Sequence, residues 1–183
     1  MIDKILINTP PRPVEPINAF APRRSVTLRF LAEPQHVNFG GKVHGGQVMK
    51  WIDQAAYACA SGWCARYCVT AYVGGIQFKE AIKIGDVVDV AALVIMTGRT
   101  SMHIAVDVSA RDPKLSLVRE TTHCVLVFVA IDENAKPIAV PEWLPISARD
   151  IALKHYAARL KELEASAMAE RAIVGNAVED HAG

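Results

Sequence analysis

No stretch of this 183-residue chain stays apolar for the roughly 20 residues that a helix needs to cross a bilayer. The opening residues, MIDKILINTPP, lack the apolar centre of a signal peptide and run early into proline. Both absences lead to the expectation of a cytoplasmic chain without membrane insertion. Cysteine is scarce, with four residues and no CxxC pair. Cys59, Cys64 and Cys68 fall along one segment, but a metal site needs a fourth ligand and usually tighter spacing. They read as small reduced core side chains. Charge of neither sign is in excess, with 20 Lys and Arg against 19 Asp and Glu. A general nucleic-acid binder needs a basic surplus, so nucleic acid is not an expected partner. A local basic patch for a phosphate stays compatible with this balance.

Proline and glycine are also missing where they would break a helix. After Gly46 there is no proline, and only Gly62 among glycines, before Tyr67. Upstream, Gly40, Gly41, Gly45 and Gly46 crowd one loop. A glycine-rich loop followed by a long unbroken segment predicts a helix of about 20 residues. Ala55, Ala56, Ala58, Cys59, Ala60 and Ser61 make it small and nearly apolar all round, so it is expected to be buried and wrapped by a sheet. Asp53 is the one acid in this run. A buried carboxylate has to be paired, hydrogen-bonded or functional. The loop offers free N–H groups and the positive end of the helix dipole.

The rest of the chain is mostly extended. Residues 1–22 hold five of the ten prolines and read as an extended arm, either packed on a neighbouring subunit or disordered. Ser25–Glu33 alternates as a first strand, and Val69–Phe78 reads as a second with a bend at Gly74-Gly75. Val87–Thr97, Ser101–Arg111 and Glu120–Ile131 follow, joined by short turns. Along Ser101–Arg111, Met102, Ile104, Val106 and Val108 face one way, and His103, Ala105, Asp107 and Ser109 the other. His123 and Cys124 read as ordinary strand residues. Short links make the sheet antiparallel. The fold class is therefore α+β: about five antiparallel strands around one long helix. Ser147 to Asp150 forms a capping box that starts a C-terminal helix, with Tyr156, Leu160, Leu163 and Ala167 on one stripe. The boundaries fall at 1–22 for the arm, 23–132 for the domain, 133–171 for the linker and helix, and 172–183 for a frayed tail. A hydrophobic share of 51% leaves apolar surface for an oligomer to cover.

The string Asn38-x-x-Gly41-x-x-His44-Gly45-Gly46, then six residues to Asp53, resembles the active-site segment of hotdog-fold acyl-CoA thioesterases. The likeness to the cytosolic acyl-CoA hydrolases and their small bacterial relatives continues through Val69-Thr70, Phe78, Gly85-Asp86 and Gly98-Arg99-Thr100-Ser101-Met102. It covers Arg24 to Ile131. Two positions depart: Gly74 stands where an acid is expected, and Ala81 where proline is usual. The resemblance implies hydrolysis of an acyl-CoA substrate to a free acid and CoA, by a homodimer at least, with a trimer of dimers as its natural extension. It implies no metal or redox cofactor, since CoA is part of the substrate.

Thioester hydrolysis needs a base or nucleophile, donors for the oxyanion and a groove for the acyl-pantetheine arm. Asp53 fits the first role, by activating water or by direct attack to form an anhydride. Asn38 either donates its amide N–H to the oxyanion or the water or is a plain turn residue beside the glycines, and by the resemblance it faces Asp53 of a second subunit. Gly45 and Gly46 present N–H groups at the helix start. His44 either contacts the thioester or serves only helix entry, and Thr70 either bonds Asp53 or is a plain strand residue. Arg99, Thr100 and Ser101 lie, by the resemblance, beside the CoA arm, where Arg99 suits a phosphate. Trp51, Trp63 and Tyr57 are expected to shape the acyl tunnel. Two rivals remain. One is a hotdog dehydratase that pairs His44 with Asp53 on a 3-hydroxyacyl thioester. The other is a non-catalytic acyl-CoA-binding protein.

Overall fold

Alternation along the strands is realised as a single antiparallel sheet with a helix against each face. The computed structural model describes residues 21–115 and 117–179. Strands β1 (Ser25–Leu31), β2 (Cys68–Val73), β3 (Gln77–Phe78), β4 (Val87–Thr97), β5 (Ser101–Arg111) and β6 (Arg119–Ala130) alternate with helices α1 (Gly45–Cys64) and α2 (Ala148–Glu179). The sheet order is β1-β4-β5-β6-β2, with β3 also paired to β6. The arm at 1–20 lies outside the described residues.

The inner face carries the core. Met102, Ile104, Val106 and Val108 of β5 and Cys124, Leu126 and Phe128 of β6 pack against α1 and are buried almost completely. Ala55, Ala56 and Ala60 of α1 have no exposed surface, so the helix backbone comes close to the strands. On the outer face, Ile95, Ala105 and Val125 pack against Ala157, Leu153 and Leu160 of α2. β5 is consequently buried on both sides in its middle.

One strand departs from expectation. Val69–Phe78 is two strands, interrupted at residues 74–76. Gly74 donates its N–H to the Val125 carbonyl at 2.9 Å. A Cβ at Gly74 would stand 2.8 Å from that same oxygen, closer than packed atoms tolerate. The close approach demands glycine and explains why no acid is found there. A second irregularity falls between Thr70 and Tyr72, where the β2–β6 register shifts. The extra residue turns Thr70 toward α1 and Tyr72 toward the outer face.

The α1 terminus is tied to β2 by a thiol contact, Cys64 Sγ to Cys68 Sγ at 3.4 Å, and all four cysteines are free and buried. At the start of α2, Ser147 Oγ accepts from the Asp150 N–H at 3.1 Å. Asp150 pairs with Arg24 of the β1 approach at 2.6 Å, and the Arg24 guanidinium lies 4.3 Å above Trp143. These contacts pin α2 to the β1 side of the sheet. The helix runs on to Glu179, past the end at 171 read from the sequence.

Candidate active site

His44 starts the site by capping α1. Its Nδ1 accepts from the Gly46 N–H at 3.3 Å, and its carbonyl accepts from Gln47 N–H at 2.8 Å. The bond that His44 makes decides its chemistry. With Nδ1 accepting, the neutral ring carries its proton on Nε2 and can donate from there. The Gly46 N–H is already used, which leaves Gly45 N–H as the open donor at the helix start among the described residues. The Phe78 ring lies beside it, and a Cβ at Gly45 would stand 3.4 Å from Phe78 Cζ. Glycine keeps the approach to that N–H clear.

Asn38 closes the loop before the helix. Its Oδ1 accepts from Gly40 N–H at 2.9 Å and from Lys42 N–H at 3.3 Å. The carbonyl end of the amide is thereby committed to the turn, and the NH2 end remains available as a donor. Asn38 and the neighbouring Phe39 are exposed.

Asp53 receives a hydrogen bond from Thr70 Oγ1 at 2.7 Å on its Oδ1. The expected burial of Asp53 is corrected by the structure: the side chain is exposed in this chain. The reason is the asymmetry of α1. Val48, Trp51, Ile52, Ala55, Ala56, Cys59 and Trp63 form its buried stripe, and Met49, Lys50, Asp53, Gln54 and Tyr57 its open one. The helix is amphipathic rather than apolar all round. The open stripe and its surroundings are rich in apolar side chains: Phe39, Met49, Tyr57, Tyr67, Val73 and Phe78 are all exposed. β2 is the last strand on this side, so its outer edge is unpaired among the described residues.

The tunnel expectation is also corrected. Trp51 stacks on Phe30 at 5.1 Å in the core, and Trp63 donates its indole N–H to the Pro141 carbonyl at 2.9 Å. Both point away from Asp53. Only Tyr57 of the three lies on its face, 6.5 Å from Phe128.

A cavity of about 280 Å3 opens beside Gly45, walled by Val43, Val48, Phe78 and Ile82. Thr122 also lines it, and its Oγ1 is buried without a hydrogen-bond partner among the described residues. Sequence reasoning missed this residue. Alternation along β6 places Thr122 on the helix side, but nothing in the string marks its hydroxyl as unpaired.

Arg99, Thr100 and Ser101 occupy the β4–β5 turn and its exit. Thr100 O accepts from Ala130 N–H at 3.1 Å and Arg99 O from Val140 N–H at 3.0 Å. Met102 and Thr70 both pair with Phe128, so this turn begins two strands away from Thr70, about 10 Å. The three residues make no contact with Asp53 within the chain's hydrogen bonds, and Arg99 is exposed. Among the described residues no group of three or more His, Cys, Asp or Glu is placed to hold a metal ion. No described helix is long and apolar enough to cross a membrane.

A helix wrapped by an antiparallel sheet, with an acid on its open face and a glycine loop at its start, defines a class as well as a geometry. A family model described as the thioesterase superfamily matches residues 40–117. Protein VdlD of Helicobacter pylori is 31% identical over 144 residues, covering 79% of this chain and 81% of that protein. Among solved structures, an apo-hexameric acyl-CoA thioesterase is 30% identical with a TM-score of 0.76, over 79% of this chain and 93% of the other. An acyl-CoA hydrolase from Staphylococcus aureus, solved with butyryl coenzyme A, is 26% identical with a TM-score of 0.74, over 87% and 95%. The chain belongs to the thioesterase superfamily, with the hotdog fold.

Proposed function

We propose that this chain hydrolyses an acyl-CoA to a free carboxylic acid and CoA, with Asp53 as the group that acts on the thioester. The observation that carries the reading is the Thr70–Asp53 hydrogen bond on the open face of α1. Thr70 occupies Oδ1 and leaves Oδ2 free to accept a proton from water. The water oxygen bonds to the thioester carbonyl carbon, and Asp53 takes the proton. Gly45 N–H and the Asn38 amide N–H stabilise the oxyanion. The C–S bond then breaks, and the sulfur leaves as CoA thiol with the proton from Asp53. In direct attack Asp53 bonds to the carbonyl carbon, the C–S bond breaks and CoA leaves as a thiolate that takes a proton from solvent, and water then opens the mixed anhydride. A single turnover in labelled water separates the two routes when water opens the anhydride at the Asp53 carboxyl carbon, because the label then enters Asp53 rather than the released acid.

The site is completed by a second copy. Exposed apolar side chains around Asp53 and the open β2 edge support a dimer in which Asn38 of one subunit meets Asp53 of the other. The hexameric relative favours a trimer of such dimers. Further structures of the Staphylococcus aureus enzyme carry alanine in place of an aspartate and of an asparagine. Those two positions are as far apart in that chain as Asn38 and Asp53 are here, which supports the same pairing. Arg99, Thr100 and Ser101 flank the CoA arm in this reading, no cofactor is used, and free thiols suit a cytoplasmic setting.

The dehydratase reading is weaker. It requires the His44 imidazole as a base, whereas Nδ1 caps Gly46 and the remaining nitrogen carries the proton. Thiol release from a panel of acyl-CoAs tests hydrolysis against both rivals. Wild type should release thiol, and Asp53→Ala should be slowed on the order of 100-fold or more while still folded. CoA binding without any thiol release would overturn the proposal.

A further inference from the structure

A second cavity, of about 340 Å3, lies on the opposite face of the sheet from Asp53, between α2 and the strands. Val125, Val127, Leu160 and Leu163 give it apolar walls. Two polar side chains, His103 and Tyr156, break that lining.

The first is His103, on the outer face of β5. It is 5% exposed and lines the cavity. Burial, reinforced by the nearby Lys161 ammonium, pushes its pKa down to about 4, so the ring is neutral near pH 7. A neutral imidazole offers one donor and one acceptor. No described residue hydrogen-bonds the ring and its nitrogens are not among the fully buried unpaired atoms, which leaves its donor and acceptor to the cavity.

The second is Tyr156 of α2, whose hydroxyl is 3.2 Å from His123 Nε2. His123 Nδ1 is 2.6 Å from Asp107 Oδ1. The His123 hydrogen bond holds the Asp107 carboxyl below the usual carboxylate range, so Asp107 is ionised and can only accept. His123 Nδ1 therefore donates to Asp107, while its Nε2 meets the Tyr156 hydroxyl. The Tyr156 oxygen keeps a lone pair for an incoming donor. At the rim, Lys161 and Glu164 carry opposite charges one turn apart and favour neither sign of ligand.

We propose that this cavity is a binding site for a small neutral ring compound bearing one hydroxyl or amide N–H, held between His103 and Tyr156. Its volume is in the range that suits a single ring with a short substituent. Apolar walls take the ring, its single donor hydrogen goes to the Tyr156 oxygen, and its own oxygen accepts from the His103 N–H. Tyr72 forms part of the wall and stands one bulge away from Thr70, so an occupant bears on the strand whose Thr70 hydrogen-bonds Asp53. The site stands apart from the thioesterase residues and holds whichever reaction Asp53 supports.

The test uses the full-length protein and thermal unfolding in rising phenol, with anisole as a probe of similar shape that lacks the donor. Phenol should raise Tm to a plateau, and anisole should need about ten-fold more for half its effect, the difference one hydrogen bond makes. Ala167 is exposed at the cavity's edge, so Ala167→Trp should fold normally and abolish the phenol effect. Tyr156→Phe and His103→Phe should each bring phenol toward the anisole level. No plateau with phenol, equal response to the two probes, or an undiminished response in Ala167→Trp would each overturn the site.

Discussion

Thr70 Oγ1 donates to Asp53 Oδ1 at 2.7 Å, joining the first inner-facing turn of β2 to the middle of α1. This bond fixes which carboxylate oxygen is free. Thr70→Val should lower kcat for acyl-CoA hydrolysis by about ten-fold with little change in KM, and Thr70→Ser should restore most of it. A loss confined to KM would mean that Thr70 touches substrate rather than positions Asp53.

Thr122 is expected to separate stability from activity. Its buried hydroxyl has no partner among the described residues, and valine has nearly the same shape. Thr122→Val should raise stability on the order of 1 kcal/mol, seen as a higher denaturant midpoint. It should also lower kcat/KM if the cavity beside Gly45 receives part of the substrate. A destabilised variant would show that the hydroxyl is satisfied in solution.

Gly74 tests the close approach of β2 to β6. In Gly74→Ala the new methyl would meet the Val125 carbonyl oxygen at 2.8 Å, and backbone has to give way. The expected loss is about 1–3 kcal/mol, measured as a lower Tm. An unchanged Tm would place the two strands farther apart than they stand here.

Acid should unfold the chain through its paired carboxylates. The His123 hydrogen bond holds Asp107 low against the opposing effect of burial. Burial opposes ionisation of Asp150 as well, but Arg24, Ser147 and the Ile146 N–H outweigh it. Because these folded-state values are depressed, the stability they contribute is present above the unfolded value of about 3.9 and is lost as pH falls through the folded one. Tm should therefore drop below about pH 4, and Asp107→Asn should make that acid limb shallower. A limb of unchanged steepness would unlink Asp107 from acid unfolding.

What could be read from the string follows from how local the cause is. The start of α1 was legible because glycines and the absence of proline act within a few residues. The alternation of β5 was legible because its period is set by the backbone. Asp53's exposure was not, because alanines on both stripes of α1 look alike until Lys50, Gln54 and Tyr57 are placed on one side. The break at Gly74 depends on the carbonyl of Val125, a contact between residues far apart in the chain. His123 looked like an ordinary strand residue. Its partners come from the β5–β6 register, which sets it opposite Asp107, and from α2, which brings Tyr156. Both are long-range facts.

The most direct measurement is complementation between two inactive variants, Asp53→Ala and Asn38→Ala, co-expressed in one cell and assayed for thiol release from acyl-CoA. If each site takes Asn38 from one subunit and Asp53 from the other, a mixed dimer holds one intact site. Random pairing then returns about a quarter of wild-type activity, although each variant alone falls on the order of 100-fold. Activity no higher than either variant alone would contradict a site shared across the interface.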